Sequence, residues 1–106
     1  MVQTNAADKD QVVKEAKLEK TKRLVEIDDI KVVLSTRAGR RFIWKHLTGT
    51  GIFQSCFTGN SATFFNEGRR EVGLKILAEV NAASPDSYLL MMKESNEAET
   101  ANEETV

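Results

Sequence analysis

The sequence predicts an all-α protein, and three observations support that prediction. One proline and six glycines occur in 106 residues, so long segments contain nothing that breaks a helix. Apolar residues recur at intervals of three and four in residues 62–82, which is the spacing of one helix face. Residues that start helices stand at Thr36 and at Ser84-Pro85-Asp86. We expect a small helical bundle of about three helices, with an N-terminal helical arm and a disordered acidic C-terminal tail.

The charged helical arm is predicted over residues 1–35. Residues 9–27 are mostly Lys, Glu, Gln and Ala, which favour helices, and they contain no Gly or Pro. Leu18, Val25 and Val32 recur every seven residues, but the positions that would complete a coiled-coil seam are polar. Three interpretations stay open for the arm: a solvated helix, a coiled coil that depends on a partner, or a disordered segment.

The two ends of the arm are less regular than its middle. Residues 1–8 are small and polar, and we expect them to fray. Asp28 and Asp29 offer a possible restart of the helix, after which a narrow apolar face would pack the arm onto the core. Residues 30–34 are rich in β-branched side chains, so a short strand is an alternative there.

The compact helical domain is predicted over residues 36–95. Thr36 should cap a helix over residues 37–47, and Gly49-Thr50-Gly51 should end it. A loop over residues 52–62 follows, with Ile52, Phe53 and Phe57 as expected buried anchors, and with Asn60, Ser61 or Thr63 as possible caps of the next helix.

The helix over residues 62–82 is the best-defined element of the sequence. It keeps Gly68 and Gly73, although each glycine costs roughly 1 kcal/mol against alanine inside a helix. We therefore expect close approach of another helix at these glycines. A last helix should run over residues 85–94, and residues 96–106 contain only polar, acidic and small residues until the final Val, which predicts the disordered tail.

Charge is distributed unevenly along the chain, whose net charge is −1. Residues 1–36 carry equal numbers of basic and acidic side chains. Residues 37–83 carry seven basic against three acidic ones, and residues 84–106 carry one basic against six acidic ones. The overall balance argues against a general polyanion binder, while the acidic end is placed to screen a basic middle.

The most suggestive cluster lies on the helix over residues 37–47. Its basic residues stand beside a tryptophan that an exposed row could use for stacking. One interpretation is contact with nucleic acid or an acidic partner; the other is a solvated helix face neutralised by acidic residues elsewhere. The candidate interaction surface consists of Arg37, Arg40, Arg41, Trp44 and Lys45.

No catalytic or metal site is expected. Cys56 and His46 flank a glycine-rich turn, but they are better interpreted as a small apolar residue and a helix C-terminal residue. Glu67 and Glu71 stand one helical turn apart with arginines between them, which favours a solvated face over a metal site. We expect no enzyme activity and no cofactor. One cysteine allows no internal disulfide, so partner binding or self-association is the expected support for so small a core.

Six short blocks of sequence follow one another between residues 40 and 94. They are Arg40-Arg41-Phe42-Ile43-Trp44, Gly51-Ile52-Phe53, Phe57 with Gly59-Asn60-Ser61, Thr63-Phe64-Phe65-Asn66-Glu67-Gly68-Arg69-Arg70, Val72-Gly73-Leu74-Lys75 and Tyr88-Leu89-Leu90-Met91-Met92-Lys93-Glu94. Together they resemble a family of small proteins of short-tailed bacteriophages that are encoded among the head and portal genes, including the Bordetella phage type.

The resemblance implies a setting and carries no catalytic residues. It implies a virion-associated or assembly protein, located in the virion or in the host cytoplasm during assembly, that binds phage structural proteins. Portal and internal head proteins are the candidate partners. Homo-oligomers are possible. The alternative is a nucleic-acid-binding accessory protein that uses the basic helix. The sequence shows neither a secretory signal nor an apolar run of the roughly 20 residues that a membrane span needs.

The central block of the resemblance also has an architectural interpretation. We expect Glu67 to pair with Arg70 or Arg41 in a partly buried ion pair that fixes two helices relative to each other. The residues assigned to this architectural role are Asn66, Glu67, Gly68, Arg69, Arg70 and Gly73.

Overall fold

A computed structural model describes residues 6–105 of the chain. These residues form four α-helices and no strand, which confirms the all-α prediction: α1 (Ala6–Leu34), α2 (Arg37–Gly49), α3 (Ala62–Ala83) and α4 (Ser87–Thr105). Helix α1 corresponds to the expected arm, but its C-terminal part packs into the core, so the described residues form a core of four helices and not a bundle of about three. The fraying predicted for residues 1–8 falls mostly outside the described residues, as does the last residue of the tail.

The molecule is long and thin, with extents of 74 × 40 × 15 Å. Its radius of gyration is 20.3 Å, whereas a compact domain of this length has about 13 Å. Its accessible surface is 8222 Å², against about 5,900 Å² expected for a compact monomer of 11.8 kDa. Much of the chain therefore lies outside the core.

The core lies where all four helices meet. Its largest fully buried side chains are Leu47, Val80 and Met91, which come from the end of α2, the second half of α3 and the start of α4. Helix α1 contributes through its C-terminal part, where Ile27 and Ile30 pack against the core. The buried apolar residues are Leu34, Leu47, Ile52, Val80, Ala83 and Met91.

Helix α1 is continuous to Leu34, so the restart at Asp28-Asp29 and the strand at residues 30–34 are wrong. The segment contains no Gly or Pro to interrupt the helix. Packing of its apolar face on the core stabilises the helical conformation. Farther from the core, the Arg23 guanidinium donates to the Glu79 carboxylate of α3 over 2.7 Å. Residues 6–22 are exposed throughout.

The predicted ends of α2 are confirmed. The Thr36 hydroxyl accepts a hydrogen bond from the Gly39 N–H over 3.0 Å, which caps the helix. The helix ends at Gly49, and Gly51 adopts a φ of 77°, which lets the chain turn towards α3.

The loop between α2 and α3 differs from the sequence prediction in its aromatic residues. Ile52 is buried as expected, but Phe53 and Phe57 are exposed, so they are not core anchors. Phe53 instead lies against the rings of Trp44 and Tyr88, at centroid distances of 5.8 and 6.5 Å, and Phe57 is 77% exposed. Among the possible caps, Asn60 is the one used: its Oδ1 accepts from the Ala62 N–H over 2.9 Å, and the Ser61 side chain makes no cap bond.

The two glycines of α3 have different surroundings. A Cβ at Gly73 would collide with the side chains of Thr50 and Ile52, so a close approach exists there, but it is to the loop that follows α2 and not to another helix as predicted. Nothing lies within 4 Å of the corresponding position at Gly68, so the same prediction is wrong for that residue. Only Gly73 makes room for the loop that follows α2.

Helix α4 extends to Thr105, so the disordered tail predicted from residue 96 is wrong over the described residues. These residues include Ala and Glu, which favour helices, and no Gly or Pro. The helix thus continues beyond the core although it has little apolar surface left to bury.

Alanine substitutions at Gly68 and Gly73 should have opposite effects on the free energy of unfolding. Gly73→Ala should lower the free energy of unfolding by about 1–3 kcal/mol, because the new methyl group overpacks the contact with Thr50 and Ile52. Gly68→Ala should raise it by about 0.5–1 kcal/mol, because only helix propensity changes. Urea denaturation of both variants measures the difference, and equal effects would contradict the packing at Gly73.

Candidate functional site

A groove of about 370 Å³ separates α2 from α4 and contains most of the basic row predicted from the sequence. Charged and apolar side chains both line it. The residues that line it are Arg37, Arg40, Arg41 and Trp44 of α2, and Met91, Glu94, Ser95 and Ala98 of α4.

Arg40 and Glu94 form a bidentate ion pair across this groove. The Arg40 Nε donates to Glu94 Oε1 over 2.6 Å, and its Nη2 donates to Oε2 over 3.2 Å. The Arg40 Nη1 also donates to the backbone carbonyl of Leu34 over 2.9 Å. Both charged side chains are about 15% exposed, so the pair is largely shielded from water. One guanidinium thus connects the end of α1, α2 and α4.

The electrostatics of the pair follow from this geometry. The hydrogen bonds from Arg40 lower the pKa of Glu94 below its ordinary value of 4.5, although partial burial acts in the opposite direction. The same hydrogen bonds raise the pKa of Arg40. Arg37 adds a second positive charge, with its Nε 3.2 Å from Glu94 and its Nη2 3.8 Å from Glu97.

The structure divides the candidate interaction surface into two parts. Arg37 and Arg40 point to acidic residues of α4, as the interpretation of a neutralised helix face requires. Arg41 and Lys45 are exposed, and neither forms an ion pair with the side chains of residues 6–103, although the charge of Arg41 also helps to lower the pKa of Glu94.

Trp44 belongs to an aromatic cluster and does not stand free beside the basic row. Its ring centroid lies 5.8 Å from that of Phe53 and 6.1 Å from that of Tyr88, and its side chain is half-buried. Stacking on a base would therefore compete with contacts that Trp44 already makes.

The residues assigned an architectural role have weaker contacts than the sequence suggested. Glu67 is exposed and forms no ion pair within the described part of the chain, so its expected pairing with Arg70 or Arg41 is absent. The Asn66 amide donates to the Cys56 carbonyl over 3.4 Å, and the Arg69 guanidinium lies 5.8 Å from the Phe65 ring centroid. Of this set, Gly73 makes the tightest contact.

The other residues considered for chemistry are not brought together as a reactive group. The His46 ring lies edge-on to Phe42, 4.5 Å between centroids, and Cys56 is a half-buried free thiol in the loop. In residues 6–105 no group of three or more His, Cys, Asp or Glu is placed to hold a metal ion. None of the helices described is long and apolar enough to cross a membrane.

Sequence reasoning did not identify Glu94 as the partner of Arg40. The signal was present in the excess of acidic residues after residue 84, which was assigned to a screening tail. The sequence also did not predict that the aromatic residues at the start of α3 are exposed, because their spacing is that of a buried helix face.

The model of a family described as Bbp19-like phage protein matches residues 30–93. The matched segment begins in the last turns of α1 and ends one residue before Glu94, so it contains every buried apolar residue of the core. No curated protein and no solved structure matches the chain.

Replacing Glu94 by Gln should flatten the pH dependence of stability. The folded-state pKa of Glu94 is lowered, so its contribution is fully present above its unfolded-state pKa of about 4.5 and is lost as the pH falls through the folded-state value. Glu94→Gln should thus be less stable than the parent chain at neutral pH, and the difference should shrink in acid.

Chemical denaturation in a series from about pH 7 to about pH 2 measures this effect. Glu99→Gln is the matched control, because Glu99 is an exposed carboxylate on the same helix. If Glu94→Gln and Glu99→Gln gave the same pH profile, the ion pair would not contribute to stability.

Proposed function

Because this chain belongs to the Bbp19-like phage proteins, we propose that it is a virion-associated or assembly protein that works as a helical module and binds another phage structural protein. Portal and internal head proteins are the first partners to test. The proposed role is non-enzymatic and places the protein in the virion or in the host cytoplasm during assembly.

The observation that carries the proposal is an exposed apolar face on the first half of α3. We call it the aromatic face; it consists of Phe64, Phe65, Gly68 and Val72. These residues are spaced at i, i+1, i+4 and i+8, so they lie together on one side of the helix. Phe64 is 78% exposed and Phe65 is 69% exposed. Exposed apolar patches of this kind mark protein contacts more often than a free surface.

Two further properties of the aromatic face fit a protein partner. Gly68 has nothing within 4 Å above it, so it leaves an opening between the neighbouring side chains into which a partner side chain fits. The face also lies inside the segment that matches the family, unlike most of α1. Aromatic residues at such a contact typically dominate the binding energy.

A nucleic-acid-binding role is the second candidate, supported by Arg41 and Lys45, which are exposed and form no ion pair with the side chains of residues 6–103. It is weaker, because Arg37 and Arg40 of the same row already contact α4. If it holds, DNA binding should weaken steeply with salt, and Arg41→Ala/Lys45→Ala should abolish it. Fluorescence anisotropy with duplex DNA tests this, and absent or salt-independent binding would remove the candidate.

Mass spectrometry of gradient-purified phage particles and of infected-cell lysate tests the main proposal. We expect the chain at a defined ratio to the portal protein in particles, or bound to a structural protein in lysate if it acts only in assembly. A chain found in neither state would contradict the proposal.

The double variant Phe64→Ala/Phe65→Ala tests the aromatic face itself. It should reduce incorporation into particles or recovery of the complex at least about tenfold, because the anchors of the contact are removed. Its melting temperature should stay close to that of the parent chain, because both rings are exposed. Phe42→Ala is the control, since Phe42 is an exposed aromatic residue on α2. Equal loss in both variants would argue against this face.

A further inference from the structure

Helix α1 carries a second apolar stripe on the side that faces away from the core. The stripe consists of Leu18, Val25 and Val32, and we call it the outer stripe. These side chains are 54%, 54% and 69% exposed. At 3.6 residues per turn, the outer stripe lies about 180° around α1 from Ile27 and Ile30, which pack on the core. Docking of the arm therefore leaves the outer stripe fully available.

We propose that the outer stripe binds the same stripe of a second copy of this chain, with the two arms antiparallel and Val25 opposite the partner's Val25. In this register Leu18 meets the partner's Val32, and Val32 meets the partner's Leu18. Every apolar residue of the stripe then contacts an apolar residue. The contact belongs mostly to the part of α1 that precedes the family match, so it is independent of the proposed function.

Charge complementarity selects the antiparallel orientation. Lys22 and Asp29 lie on the same flank of the outer stripe, and the two-fold axis through Val25 brings Lys22 beside the partner's Asp29 twice. Asp29 has no ion pair with the side chains of residues 6–103, and within the same residues Lys22 has only a long, exposed contact of 3.8 Å with Glu19. Both are thus available for a contact between copies.

A parallel pair would place like charges together. Lys14 and Asp28 occupy the positions of the heptad that accompany the outer stripe, and in a parallel pair each would face its own copy. Repulsion between two lysines and between two aspartates would oppose the association. The antiparallel register separates both pairs of like charges along the helix.

The surface area of the chain supports association. The accessible surface exceeds that of a compact monomer of this mass by about 2,300 Å². A standard interface removes about 800 Å² from each partner, so the excess accommodates a dimer contact along α1 and a separate contact at the aromatic face. The outer stripe is narrow, and we expect a dimer in exchange with monomer.

Sedimentation velocity of the full chain from about 1 to about 200 μM tests the association. The parent chain should shift from monomer to dimer as its concentration rises. Val25→Lys should raise the dissociation constant at least about tenfold, because two ammonium groups would meet at the centre of the contact. Ala16→Lys, on the opposite side of α1, should leave it unchanged. A chain that stays monomeric throughout overturns the proposal.

Single cysteines in a Cys56→Ser background test the register with a short bis-maleimide crosslinker. Val25→Cys should crosslink to itself. Leu18→Cys should not, because 14 residues of helix place the two copies about 21 Å apart, but it should crosslink to Val32→Cys in a mixture of the two variants. Efficient self-crosslinking of Leu18→Cys would show a parallel pair and overturn the orientation, and failure of Val25→Cys in a sample that sediments as a dimer would overturn the register.

Discussion

The Arg40 guanidinium is the interaction on which the arrangement of the helices depends most. Its Nε and Nη2 donate to the Glu94 carboxylate, and its Nη1 donates to the Leu34 carbonyl. One side chain therefore connects three helices at one point. The core beside it is small, and within the part of the chain that the structure describes its buried apolar residues are Leu34, Leu47, Ile52, Val80, Ala83 and Met91. With so little apolar burial, a directional contact between α2 and α4 helps to set where α4 lies. Glu94 also pairs with Arg37, so two of the four basic residues of the row are occupied.

The sequence predicted the helical elements well because their signals are local. The Thr36 cap and the stop at Gly49 depend on neighbouring residues alone, and the structure has both. The close approach at Gly73 was predictable for a similar reason, since a helix retains a costly glycine where another segment needs the space. Continuity of α1 through Asp28-Asp29 was missed because packing onto the core overrides two weak helix formers.

The site was less predictable because it depends on distances that one sequence does not contain. Arg40 and Glu94 are 54 residues apart, and nothing local distinguishes Arg40 from Arg41, although the first is shielded and the second is exposed. The same limit applies to Phe64 and Phe65, which have the spacing of a core face. Their exposure follows from where the core ends along α3, which depends on the loop and on α2.

The N-terminal part of the continuous helix α1 projects away from the core. Its ion pair and core contacts with the other helices lie between Arg23 and Leu34, and the 17 residues before Arg23 extend about 26 Å. A tilt of about 5° at Arg23 would move the far end by about 2 Å, which is enough to make or break a side-chain contact. Small repacking around Ile27 and Ile30 would thus be felt at the tip, so a change inside the core can alter what the distant end of the arm reaches.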